Sequence, residues 1–139
     1  MSSTNRIKAV KVILDSNALF VPIEFKIDIF DEVKRLLKRN VDFVLLSPIR
    51  KELELLASKK SPEIRKKAEY ALNLAKKCNY IEIKNCENLQ TDDVIVKVSR
   101  EWNSPVFTND RLLRKRLRDI SVPVIYLRQK SRLEIDGMI

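Results

Sequence analysis

The 139-residue chain contains no histidine, a single glycine and only two cysteines, Cys78 and Cys86. Without imidazole there is no Ser-His or Cys-His nucleophilic system, no HExxH metallopeptidase site, no His-ligated haem and no zinc centre built on imidazole. The cysteines form no CxxC pair and cannot make a disulfide framework, so both read as ordinary buried or half-buried thiols. Nothing resembles a transmembrane span or a signal peptide, and the polar residues 2–5 lead directly to a strand. A cytoplasmic protein with no membrane partner is the expectation. The scarcity of glycine beside abundant Lys, Arg, Glu and Ile suggests a stiff, thermophile-like composition. Any catalysis must run on carboxylates, Lys, Tyr or a metal.

What is present is a soluble, core-forming composition, 45% hydrophobic and 34% charged. The length suits one domain over residues 1–139, with a core over about 9–127 and a C-terminal tail at 128–139. A net charge of +9 and a pI of about 9.7 favour polyanionic partners, nucleic acid first among them.

In chain order, residues 9–14 read as a short buried strand ending in Asp15, Ser16 and Asn17. Residues 20–26, with Pro22, read as a connecting loop. Asp28 caps a helix expected to reach about Asn40, and Asp31 sits near the positive end of its dipole. Residues 42–46 form a second strand. Ser47-Pro48 and Ser61-Pro62 each open a helix with a cap residue and a first-turn proline. The second of these helices is expected to turn Ile64, Ala68, Ala71, Ala75 and Cys78 inward. Residues 80–83 are a third strand, Thr91 caps the next helix, residues 105–108 are a strand, and Asn109-Asp110 lead into a further helix. Residues 122–127 are the last strand, and the structure of the tail from Arg128 is left open. The alternation β-α-β-α-α-β-α-β-α-β predicts an α/β fold with about five parallel strands and helices on both faces. Ligands of such sheets gather at the strand C-termini.

Asp15 and Asp110 fall at that edge, just after strands. Glu52 and Asp92 are placed by helical phase. Glu52 projects roughly 60° from Ile49, beside Leu56, and Asp92 roughly 60° from Ile95, whereas Asp93 projects toward the opposite face. Each acid also has a plain structural use: an Asx-turn at Asp15, a lysine pair at Glu52, support of the Thr91 cap at Asp92, a helix cap at Asp110. All four at one edge repel one another unless a hard cation neutralises them, and oxygen-only ligands favour Mg²⁺ or Mn²⁺.

These residues resemble the motifs of PIN-domain nucleases. Ile13-Leu14-Asp15-Ser16-Asn17 is similar to the opening motif, an apolar strand followed by Asp, Ser/Thr and Asn/Ser. Pro48-Ile49-Arg50-Lys51-Glu52-Leu53 resembles the second motif. Asp92-Asp93-Val94-Ile95 and Pro105-Val106-Phe107-Thr108-Asn109-Asp110 resemble the third and fourth in order and spacing. The resemblance covers about residues 10–127. It implies a three-layer α/β/α fold and a divalent-metal-dependent endoribonuclease. Asp15, Glu52, Asp92 and Asp110 would be its metal-binding, catalytic acids, with Asp93 as the alternative third acid. Ser16 and Thr108 would be supporting hydroxyls and Asn17 a neighbouring polar contact. The doubled Asp92-Asp93, the long helix over residues 62–78 and the basic run after Asp110 look more like PIN proteins of small-subunit ribosomal RNA processing than like VapC toxins. A homodimer is a further expectation from the resemblance.

Arg111, Arg114, Lys115 and Arg118 project away from Leu113 and Leu117 and form a basic face for RNA, which Arg35, Lys38, Arg39, Lys59, Lys60, Arg65, Lys66 and Lys67 could extend. Trp102 and Tyr126 are expected in the core. Three other readings stand beside an RNA-processing, pre-rRNA-cutting nuclease. The chain could be a VapC-type toxin with an antitoxin partner. It could be a non-catalytic RNA-binding factor of ribosome assembly. The third, a flavodoxin-like phosphate-binding or signalling domain, lacks a Gly-rich phosphate loop.

Overall fold

Apolar side chains on consecutive strand residues point to both faces of a sheet, so both faces must be covered. Val12, Ile13 and Leu14 meet that condition, each fully buried. The computed structural model describes residues 9–139, and the polar lead over residues 2–5 lies outside them. The chain runs β1 (Val10–Leu14), α1 (Ser16–Phe25), α2 (Ile29–Leu37), β2 (Val41–Leu46), α3 (Ser47–Ala57) and α4 (Pro62–Ala75). It continues through β3 (Asn79–Ile81), α5 (Thr91–Trp102), β4 (Val106–Phe107), α6 (Arg111–Asp119), β5 (Val124–Arg128) and β6 (Arg132–Asp136).

The six strands order as β3-β2-β1-β4-β5-β6. All neighbours are parallel except β5 and β6, which pair antiparallel from Val124↔Asp136 to Arg128↔Arg132. The order is that of doubly wound dinucleotide folds, not the flavodoxin order of the rival reading. Its winding reverses between β1 and β4, where Leu14 pairs with Phe107. The crevice therefore opens at the ends of these two strands, which deliver Asp15 and Thr108. Right-handed crossovers place α1–α4 on one face and α5–α6 on the other. The packing agrees, with α4 against α1 and α3, and α6 against α5.

Several local expectations change. Residues 20–25 are helix, not loop, and α1 carries Pro22 inside it. Pro22 offers no N–H to the carbonyl of Ala18, but burial of Ala18, Leu19 and Val21 holds the segment helical. Asp28 does cap α2, accepting from the Asp31 N–H at 3.2 Å, yet that helix stops at Leu37. Ser47 and Thr91 are first helical residues rather than caps, and neither Leu46 nor Gln90 in the cap position supplies a side-chain bond. Ile64 is exposed, so the inward stripe of α4 is alanine, at positions 68, 71 and 75. Trp102 and Tyr126 are half-buried, each beneath a cation: Lys11 Nζ lies 5.1 Å from the Trp102 ring, and the Arg114 guanidinium carbon 3.7 Å from that of Tyr126.

The tail is a strand. Its sequence Arg132-Leu133-Glu134-Ile135-Asp136 alternates polar and apolar, and the hairpin to β5 turns through Gln129 and Lys130, at φ 54° and 59°. With so few glycines, the left-handed positions that end helices fall to Lys26, Lys38 and Asn103. The lone Gly137 stands at φ 104°, a backbone conformation that L side chains rarely adopt, and a Cβ there would also have to displace the Arg118 guanidinium. Burial pushes the Cys78 thiol up to about 12, helped by Asp42, while Cys86 donates to the Ile83 carbonyl at 3.3 Å. Both thiols are half-buried, as expected.

Ser47 has a different use from capping. Its Oγ accepts the Ile83 N–H at 2.9 Å, tying the start of α3 to the chain leaving β3. Ser47→Ala should lower stability by about 1 kcal/mol. A urea midpoint shifted down at unchanged m-value would register it.

Candidate active site

Each acid of interest arrives on a different element. Asp15 follows β1 and caps α1, Glu52 rides α3, Asp92 and Asp93 lie in the first turn of α5, and Asp110 caps α6. The switch point between β1 and β4 brings these ends together. Thr108, fully buried, is the hub. Its Oγ donates to Asp15 Oδ2 at 2.7 Å and accepts the Asp110 N–H at 3.1 Å. Asn17 Nδ2 donates to Asp15 Oδ2 at 3.1 Å and to Thr108 Oγ1 at 3.3 Å, while Asn17 Oδ1 accepts the Asn109 N–H at 2.9 Å. Ser16 holds Asp15 through its N–H, 2.8 Å from Oδ1, and its hydroxyl donates to Glu52. Asp110 Oδ1 accepts the N–H groups of Leu112 and Leu113 at 2.9 and 3.2 Å.

The electrostatics are those of crowded carboxylates. Asp15 is 5% exposed, and desolvation raises its carboxyl from 3.8 to about 6. The Thr108 and Ser16 hydrogen bonds oppose that rise, and repulsion from Asp92 and Glu52 adds to it. Asp92 is also raised, by desolvation first and then by Asp110, against the pull of Arg116, with Glu52 and Asp93 adding smaller repulsions. Asp15, Glu52, Asp92 and Asp110 thus share one electrostatic environment.

Asp93 differs. It does not point away from the site; it lines the same cleft of about 310 Å³ as Glu52, Gln90, Thr91, Asp92 and Arg116. There its Oδ1 receives the Arg116 guanidinium at 2.8 Å. Arg116 pairs across two helices, and pairing of that kind depends on how α5 docks on α6, which no pattern within either helix encodes. The sequence reading passes over it. Asn109 is passed over too, although its Oδ1 accepts the Leu127 N–H at 2.8 Å and so braces the loop after β4 against β5. Its position beside Asp110 was the available signal.

The expected basic face of α6 is divided. Arg114 and Arg118 both turn to Asp136 on β6, at 3.1 and 3.2 Å, and Arg118 also donates to the Val122 carbonyl at 3.3 Å. They anchor the terminal hairpin. Arg111 and Lys115 are exposed and make no ion pair among the described residues. Of the eight cations expected to extend this face, Arg35 is engaged with Asp31 and Glu32, and Lys67 with Glu24 and Glu63. A larger groove of about 520 Å³ adjoins the cleft, sharing Glu52 and Thr91 and running along α3 to Tyr80, whose ring lies 3.8 Å from the Arg50 guanidinium carbon.

Among the described residues, no three acidic or thiol side chains form a ready-made metal cage. The donor set is all oxygen, the chemistry of hard cations such as Mg²⁺, which keep several waters and take one or two carboxylates from the protein.

Residues 12–130 match the family described as PIN like domain. Ribonuclease VapC4 of Methanocaldococcus jannaschii is 34% identical over 131 residues, covering 93% of this chain and 98% of that protein. Among solved structures, the PIN domain endonuclease Utp24 superposes with a TM-score of 0.78 at 22% identity, over 93% of this chain and 92% of the other. VapBC2 from Rickettsia felis, solved bound to a DNA fragment from its promoter, gives 0.62 at 16% identity, over 86% of this chain and all of the matched chain. The two structures attest the fold, and the sequence matches attest descent: the chain belongs to the PIN-like domain family.

Proposed function

We propose that this protein is a divalent-metal-dependent endoribonuclease. The observation that carries the reading is Asp15, held buried against its own desolvation cost at the β1–β4 switch point and repelled there by Asp92 and Glu52, with Asp110 in turn acting on Asp92. The kinship to Ribonuclease VapC4 supports RNA as the substrate.

In this reading Asp15, Glu52, Asp92 and Asp110 would hold Mg²⁺ or Mn²⁺, and the chemistry such a cation would supply is activation of a water and neutralisation of charge developing on the phosphodiester. The protein's contribution is orientation. Thr108 and Ser16 fix the two Asp15 oxygens, Ser16 also steadies Glu52, and Asn17 ties the opening strand end to the loop that bears Asp110. Asp92 is preferred to Asp93 as the third acid, because Asp93 is already occupied by Arg116. Arg111 and Lys115 are the cations on α6 left for the RNA backbone.

The biological setting divides in two. The doubled acid suggested ribosomal RNA processing, yet Asp93 has a use of its own in pairing with Arg116. The kinship to Ribonuclease VapC4 favours the second setting, a VapC-type nuclease with an antitoxin partner. Incubation of the wild type with single-stranded and structured RNA in Mn²⁺, Mg²⁺ or EDTA tests the activity. Metal-dependent internal cleavage is expected; RNA binding without cleavage under any metal would favour a scaffold role instead. Lys115→Gln should lower affinity modestly and reduce the slope of log affinity against log salt by about 0.7 for a single strand. Titration at several salt concentrations reads that slope.

A further inference from the structure

We propose that Arg116 binds the phosphodiester of the substrate in the cleft, and that Asp93 holds its guanidinium in place until the substrate arrives. The inference rests on the nuclease reading and adds a residue to it.

The argument begins with charge. Asp15, Glu52, Asp92, Asp93 and Asp110 place five carboxylates around the switch point, an environment that repels RNA even with one divalent cation bound. Among the described residues that line the cleft itself, Arg116 is the one cation. The other α6 arginines cannot take its place: Arg114 and Arg118 face Asp136, while Arg111 is exposed outside the cleft.

The guanidinium is also available. Its contact with Asp93 is a single one of 2.8 Å, between side chains 47% and 43% exposed. Such half-exposed pairs are weakly held, so exchange of a carboxylate for a phosphate oxygen is easy. The planar fork has further N–H donors and suits a phosphate through two parallel bonds. The 12-residue helix α5 also begins at the same cleft, and its cap position supplies no side-chain bond to the first-turn N–H groups. If the pair were only a brace between α5 and α6, neither its exposure nor its place inside the cleft would be needed.

The test compares wild type with R116Q, R116K, D93N and the double variant R116Q/D93N. RNA affinity is measured by fluorescence anisotropy with a short single-stranded RNA in Ca²⁺, kcat and KM in Mn²⁺, and folding by Tm. R116Q should weaken RNA binding and lower kcat/KM by about tenfold or more. R116K, which keeps the charge but loses the fork, should recover only part. D93N should tighten RNA binding, and R116Q/D93N should lose that gain. The proposal is overturned if R116Q binds and cuts like wild type, or if R116Q and D93N both lose affinity in step with Tm, as a brace requires. A wild type that binds RNA but cuts nothing would overturn the nuclease reading while the affinity ranking still decides Arg116. A wild type that binds no RNA would overturn both.

Discussion

Asp15→Asn is expected to gain stability relative to wild type as pH rises, and to lose RNA cleavage. The sign follows from burial. The Asp15 carboxyl titrates at about 6 in the folded protein against an ordinary 3.8, so the fold binds this proton more tightly than the unfolded chain does. Its stabilising contribution is complete below pH 3.8 and disappears as pH rises through about 6. Ionising a side chain that is 5% exposed therefore costs the metal-free fold about 3 kcal/mol by pH 8. Asparagine does not ionise. It brings a constant penalty, because its amide cannot accept from Ser16, Asn17 and Thr108 all at once. That penalty is independent of pH, so the variant-minus-wild-type difference should move by about 2 kcal/mol in the variant's favour between pH 4 and pH 8. Urea melts in EDTA at the two pH values give the number. Added Mn²⁺ should raise the wild-type melting temperature at pH 8 and leave the variant's unchanged. A difference that stays flat with pH would mean that Asp15 is not held as a strained carboxylate.

Thr108→Val is the second large effect. The hydroxyl donates to Asp15 and accepts from the Asp110 N–H and the Asn17 amide, so an isosteric methyl takes the acceptor from two part-buried donors and a hydrogen bond from one buried carboxylate. Stability should fall by about 1–3 kcal/mol. Cleavage should fall by about 10–100-fold, the scale on which outer hydrogen bonds orient metal-binding side chains. Thr108→Ser keeps the oxygen and should restore most of both. Retention of full activity in Thr108→Val, with only stability lost, would remove the hub from the mechanism and leave it in the fold.

These residues show which signals in the chain were local and which were not. Asp28 and Asp110 announce themselves because capping is a matter of three or four neighbouring residues, and each accepts from the second- or third-residue N–H groups that a cap should, whereas the backbone N–H that Asp15 accepts is that of the adjacent Ser16. Phase within one helix sets Glu52 and Asp92 beside the apolar stripes but sends Asp93 to the opposite face, whereas Asp93 lines the same cleft as Glu52 and Asp92. Pro22 misleads because the rule against proline in a helix is local, whereas the burial of Leu19 and Val21 that overrides it is tertiary. The terminal hairpin shows no turn signal, since Gln129 and Lys130 occupy left-handed positions where Asn-Gly is the recognisable pair. The alternation of β6 was readable, but an edge strand paired antiparallel onto a parallel sheet is not implied by βα alternation. Arg114, Arg116 and Arg118 were visible as a basic run, and only the docking of β6 and α5 assigns two of them to Asp136 and one to Asp93.

The measurement closest to the central claim is cleavage of one RNA in Mn²⁺ by wild type, Asp15→Asn, Asp92→Asn and Asp93→Asn, with EDTA as the control. Metal-dependent cleavage by the wild type is expected. Asp15→Asn and Asp92→Asn should each lower it by at least about a hundredfold, and Asp93→Asn should cut far better than either. Cleavage that survives both Asp15→Asn and Asp92→Asn would contradict the four-acid site and the nuclease mechanism drawn from it.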